Sequence, residues 1–127
     1  MKTIVIYGRF ASLNEYIAAC RRNQYAGAGM IKKAEKEIIL QIRNQQRKPF
    51  KTPVYLSYAF FEPSRRRDLD NISGMFHKVF QDSLVKAGLL PDDGWDEIIG
   101  YCDDFDVDKR HPRIEIRIKE GYRDEQK

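Results

Sequence analysis

Two stretches of the chain alternate apolar and polar residues with a period of two. Val54, Leu56, Tyr58 and Phe60 take every second position of Val54–Phe61, and Ile114, Ile116 and Ile118 do the same in Arg113–Lys119. Side chains alternate across a strand, so each stretch predicts a strand with one buried face. The β-branched run Thr3–Tyr7, closed by Gly8-Arg9, predicts a third strand, and Ile98–Phe105 a fourth. Val107–Pro112 then reads as the tip of a hairpin joining the last two. Elsewhere apolar residues recur at three and four. Ile31, Ala34, Ile38 and Ile42, with lysines between them, predict an amphipathic helix from Met30 to near Gln46. Ile72, Met75, Phe76, Val79, Phe80 and Leu84 predict a second helix that stops at Gly88. Arg9–Gly29 follows neither period and reads as a long loop with at most one helical turn, its interleaved Arg and Tyr suited to phosphates and stacked bases. Gly121–Lys127 is polar and reads as a frayed tail.

The order β-α-β-α-β-β predicts an α+β fold: one small domain over residues 1–120, with a mixed sheet of about four strands and two helices on one face. A length of 127 residues leaves no room for a second domain. No apolar run approaches the roughly 20 residues that span a bilayer, and no signal peptide is visible, so the expectation is a cytoplasmic protein with no membrane partner. Cys20 and Cys102 stand in no metal-binding spacing and are expected to be reduced.

Charge changes this picture by its distribution. Met1–Arg67 carries 14 Lys and Arg against 4 Asp and Glu, and the remainder 9 against 15, so a half of +10 meets a half of −6. The basic half is the footprint of a polyanionic partner. The switch falls inside Arg65-Arg66-Arg67-Asp68-Leu69-Asp70-Asn71. Between Asp92 and Asp108 stand eight acidic residues with no Lys or Arg, a density that suits either a solvated loop or a divalent cation. Asp68 and Asp70, two apart where a strand ends and a helix begins, offer oxygen ligands of the kind Mg²⁺ or Mn²⁺ takes, with Asp93 as a third at the far end of that helix. The plain alternative makes Asp70 the helix N-cap. It leaves unexplained the three arginines beside the acids, which phosphate chemistry needs. Arg21, Arg22, Lys109 and Arg110 are further candidate phosphate contacts, and Trp95 reads as a packing residue.

The blocks Arg65-Arg66-Arg67-Asp68-Leu69-Asp70-Asn71, Asp82-x-Leu84-x-Lys86-Ala87-Gly88 and Asp92-Asp93, in that order, resemble the RusA-type Holliday junction resolvases, a family common in prophages. Leu13-Asn14-Glu15-Tyr16 is similar to the family's opening Asn/Tyr segment. The resemblance implies a homodimer that cuts four-way junction DNA in recombination and repair. It further implies Mg²⁺ held by Asp68, Asp70 and Asp93, with no small-molecule cofactor. It also implies an essential lysine, expected four residues after Asp70, where this chain has Gly74. Counting back from Asp82 selects Lys78 instead, while helical geometry places His77 closer to the direction of Asp70. The three acids are then expected to converge, with the helix folded back on the sheet. A non-catalytic nucleic-acid-binding module is the competing reading of the same residues.

Overall fold

The computed structural model describes residues 1–121. The chain runs β1 (Lys2–Tyr7), α1 (Leu13–Arg22), α2 (Ala26–Gln45), β2 (Val54–Glu62), α3 (Leu69–Ser73), α4 (Phe76–Lys86), β3 (Ile98–Val107) and β4 (Arg113–Glu120). The strands form one mixed sheet in the order β1-β4-β2-β3. Beyond residue 121, the polar tail expected to Lys127 lies outside the described residues.

The alternating strands bury the expected faces. Val54, Leu56, Tyr58 and Phe60 on β2, Ile114, Ile116 and Ile118 on β4, and Ile4 and Ile6 on β1 make one apolar surface, against which α2 places Ile38 and Ile42 and α4 places Phe76, Val79, Phe80 and Leu84. Each large aliphatic or aromatic side chain so buried is worth about 1.5–3 kcal/mol, which is why the two long amphipathic helices share one face of the sheet. The α4 helix closes where expected, with Gly88 at φ +80.

Two expectations are corrected. Arg9–Gly29 is helical over most of its length. Ser12 caps α1 by accepting from Glu15 N–H, and the Glu15 carboxylate accepts in return from Ser12 N–H. Gly27, which read as loop, lies inside α2 because α1 packs there: a Cβ at that position would stand 2.5 Å from Cys20 Sγ and 3.2 Å from the Tyr16 ring. The hairpin is also absent. β3 pairs with β2 in parallel and β4 pairs with β2 antiparallel on the other side, so Val107–Pro112 crosses the end of β2 instead of turning back along β3. Asp108 N–H donates to Glu62 O at 2.8 Å and fixes that crossing. The reason is burial. Ile-rich β4 is covered most fully between two neighbours, while Asp-rich β3 suits a sheet edge.

Candidate active site

The C-terminal end of β2 leads through Ser64–Arg67 into α3, and the functional heptapeptide occupies that corner. Arg67 is consumed there: its Nε and Nη2 donate to the two Glu62 carboxylate oxygens at 2.9 Å each, and its Nη1 to Phe10 O at 3.0 Å. Arg65 and Arg66 are exposed, and no ion-pair partner holds either among the described residues. One of the three arginines therefore builds the corner and two face outward from it.

Asp68 is the N-cap of α3 by its backbone, at φ −66 and ψ 154, yet its side chain makes no capping bond. Asp70 sits in the first turn of α3, and both residues are exposed. The N-cap reading of Asp70 is thus corrected to Asp68, and neither carboxylate is spent on the helix. Asn71 carries a different load: its Oδ1 accepts from Asn14 N–H at 3.2 Å, tying the start of α1 to the start of α3. Gly74 explains the missing lysine. A Cβ there would stand 2.7 Å from Asp70 O, so the backbone of the α3 turn itself leaves no space for a side chain, and 3.3 Å from Leu13 Cδ2 of α1.

A groove of about 530 Å³ opens beside Asp68, with Asp103, Asp104 and Asp106 of β3 along its wall. These three acids were legible only as part of an acidic run. Their register opposite Tyr58, Ala59 and Phe61 is what brings them to the Asp68 end of the sheet. Asp104 and Asp106 share the sheet face turned away from the helices, whereas Asp103 turns toward α4 and meets His77 Nε2 at 2.8 Å. Tyr58, edge-on to His77, keeps its proton: burial pushes its hydroxyl well above the ordinary phenol range, and Gln81 Nε2 donates to its oxygen at 3.2 Å. Lys78 points outward on α4, its Nζ 3.3 Å from Asp82 Oδ1.

Asp93 is elsewhere. It belongs to the turn before β3, which is tied to the start of β2 by Val54 N–H donating to Glu97 O at 2.8 Å. Asp68 and Asp70 follow the other end of β2, and nine residues of strand separate the two ends by roughly 26 Å at 3.3 Å per residue. The expected convergence of the three acids is therefore not made within one chain: α4 does fold back against the sheet and bury its apolar face, and in doing so it carries the chain to the opposite end of β2. Among the described residues no group of three or more His, Cys, Asp or Glu is arranged to hold a metal ion. Of the outlying cations, Lys109 and Arg110 sit exposed on the β3–β4 crossing at the Asp68 end, and Arg21 and Arg22 in the last turn of α1.

Unengaged carboxylates and guanidinium groups at the mouth of a groove are the equipment of a protein that handles phosphodiesters, and a family model described as Endodeoxyribonuclease RusA matches residues 8–119, which makes it a hydrolase of the nuclease class acting on DNA. The chain belongs to the RusA endodeoxyribonuclease family, a family of Holliday junction resolvases. No curated protein matched the chain in a separate search. No helix among the described residues is long and apolar enough to cross a membrane.

Proposed function

We propose that the protein is a Mg²⁺-dependent, structure-selective endodeoxyribonuclease that resolves four-way junctions as a two-fold homodimer in the cytoplasm. The observation that carries the reading is the free Asp68 and Asp70 pair beside unpaired Arg65 and Arg66, in a chain of this family. Two carboxylates alone are a poor cage for a hard cation, which prefers oxygen ligands from several groups. In this reading Asp93 of a second copy supplies the third, since Asp93 of the same chain lies at the opposite end of β2. A C2 dimer then carries two equivalent sites for the two nicks a junction requires.

Bound there, Mg²⁺ or Mn²⁺ would lower the pKa of an attacking water and stabilise the leaving oxygen. The chain's own part is positional. Arg65 and Arg66 grip the backbone phosphates, and Lys109, Arg110, Arg21 and Arg22 extend the basic surface. Lys78 is the proposed cation for the charge that develops at the scissile phosphate; its exposed i,i+4 pair with Asp82 is worth only about 0.5 kcal/mol and releases it readily.

The test is junction cleavage with and without Mg²⁺ by the wild type, Asp70→Asn and Asp93→Asn. Both variants should bind junctions and fail to cut. Mixing the two dead variants should restore a single nick per junction, because one site of the mixed dimer is intact when Asp70 and Asp93 come from different chains. No restoration would refute the shared site. Unchanged cutting by Asp70→Asn would refute the assignment, and absence of cutting by the wild type in Mg²⁺ or Mn²⁺ would favour the second reading, a DNA-binding module with structural carboxylates, which fits the finding that the described residues of one chain hold no metal-ready cluster.

A further inference from the structure

Trp95, the chain's single tryptophan, is 94% exposed. An indole left in water forgoes the burial of roughly 150–250 Å² of surface, so the expected packing role is not filled by the described residues of the chain. Nor does the residue hang from a loose loop. Gly94 O accepts from both Glu97 N–H and Ile98 N–H, at 3.1 and 2.9 Å, and the turn is bonded to β2 through Glu97 O. Trp95 is therefore presented on a built turn. Around it stand Asp92, Asp93, Asp96 and Glu97, with no Lys or Arg before Lys109. Such a strongly negative setting disfavours a nucleic-acid base as its contact.

At the other end of the sheet is a cleft of about 620 Å³, between the chain after β1 and the chain after β2. Its apolar lining includes Phe10, Phe61 and Phe76, and its rim carries Arg9, Arg66, Arg67 and Arg113 against the single lining acid Glu62. Arg9, Arg67 and Arg113 have carboxylate partners, in Glu15, Glu62, and Asp108 with Glu115, whereas Arg66 has none among the described residues. Arg113 already lies over the Phe61 ring, 4.0 Å from its centroid. Aromatic lining with guanidinium groups at the rim is the complement of an indole flanked by carboxylates.

We infer that Trp95 of one copy docks in the Phe10–Arg66 cleft of a second, and that the reciprocal contact closes a two-fold dimer. This rests on the dimer invoked above and names its surface. The cleft shares Glu62, Ser64, Arg67 and Ile72 with the groove beside Asp68, so the docked turn arrives at the proposed site. Two buried tryptophans, each in an apolar pocket ringed by polar groups, have the form of an interface hot spot.

The experiment uses the full chain without metal or DNA, so that its outcome is separate from that of the cleavage assays. Emission maximum and acrylamide quenching of Trp95 are followed from nanomolar to high micromolar concentration alongside light scattering. As the mass rises from 15.0 kDa to twice that value, emission should shift to the blue and quenching should fall in step. Trp95→Ala, an exposed change that leaves the fold alone, should raise the dissociation constant at least tenfold, with unchanged circular dichroism. A dimer in which Trp95 stays fully quenchable, a Trp95→Ala chain that dimerises like the wild type, or a chain that stays monomeric throughout would overturn the proposal. Mass that climbs past the dimer would overturn the two-fold closure. Protection that appears only on adding a single-stranded oligonucleotide would overturn it by giving the cleft to a nucleotide.

Discussion

His77 meets Asp103 where α4 crosses β3, Nε2 at 2.8 Å from Oδ1, with each side chain only 18% exposed. The rings of Tyr101 and Tyr58 lie against the imidazole, at centroid distances of 4.5 and 4.8 Å. This pair is the only polar tie shown between α4 and β3 among the described residues, and Asp103 lines the groove beside Asp68. His77→Ala would leave the Asp103 carboxylate half-buried and unpaired, at a cost of about 1–3 kcal/mol. Urea unfolding should show that loss, with partial rescue by His77→Gln. An unchanged midpoint would mean the pair is held by its aromatic neighbours alone.

The three arginines should separate into two kinds. Arg67→Ala removes both bonds to Glu62 and the bond to Phe10 O, so it should destabilise by about 1–3 kcal/mol. Arg65→Ala with Arg66→Ala should leave the melting temperature within a degree or two. The pair should instead weaken DNA binding alike for all sequences and flatten its salt dependence by roughly two phosphate contacts. A double variant that alters site preference at unchanged affinity would contradict this division.

Asp108 gives the β3–β4 crossing a pH dependence. Its carboxylate accepts from His111 N–H at 3.0 Å, from Arg113 Nη1 at 2.8 Å and from Arg110 N–H at 3.1 Å, and these bonds, His111 foremost, hold its pKa below the ordinary carboxylate value. A depressed native pKa means stability that is fully present above the unfolded value, near 4, and is lost as pH falls through the native one. Asp108→Asn should therefore be less stable than the wild type at neutral pH, and the gap should close on acidification. Melting temperatures compared across pH 2–7 would detect it, and a gap that does not change with pH would place the anchor elsewhere.

Lys86, part of the sequence block that precedes Gly88, donates to Glu35 Oε1 at 2.8 Å and so joins α4 to α2; that bond raises its pKa. Glu35 is 6% exposed. Lys86→Met should cost about 1–3 kcal/mol by stranding a buried carboxylate, and adding Glu35→Gln should recover part of it. A double-mutant cycle with no coupling energy would show that water already serves Glu35.

Faces were legible in this sequence because burial imprints a period, and partners were not because pairing leaves none. The isoleucines of β4 announce a buried face, but nothing local says that the neighbours are β1 and β2. Ser12 and Glu15 carried a capping signal three residues apart, which the glycines at 27 and 29 masked by imitating a loop. Asp68, Asp70 and the arginines stand out as chemistry because their types and spacing are unusual. The division of labour between Arg66 and Arg67 depends on Glu62 and Phe10, which only the folded corner brings near. The apolar period of α4 announces that the helix folds back on the sheet, as it does, but not that a helix of this length thereby delivers Asp93 to the end of β2 opposite Asp68 and Asp70.

Among the strands β1 pairs with β4 alone, its Lys2–Tyr7 ladder meeting Ile118–Arg113, while its other edge is met by the Gln41 and Gln45 side chains of α2. The first strand made is thus completed by the last, across more than a hundred residues of intervening chain, a pairing of very high contact order. During synthesis β2, α3, α4 and β3 can assemble as a parallel unit while β1 waits with an open edge. The sheet cannot close until β4 has left the ribosome and slipped between the waiting strand and β2. A chain halted before Ile114 would therefore expose two unpaired strand edges at once, which makes aggregation of the incomplete product the hazard that this topology builds in.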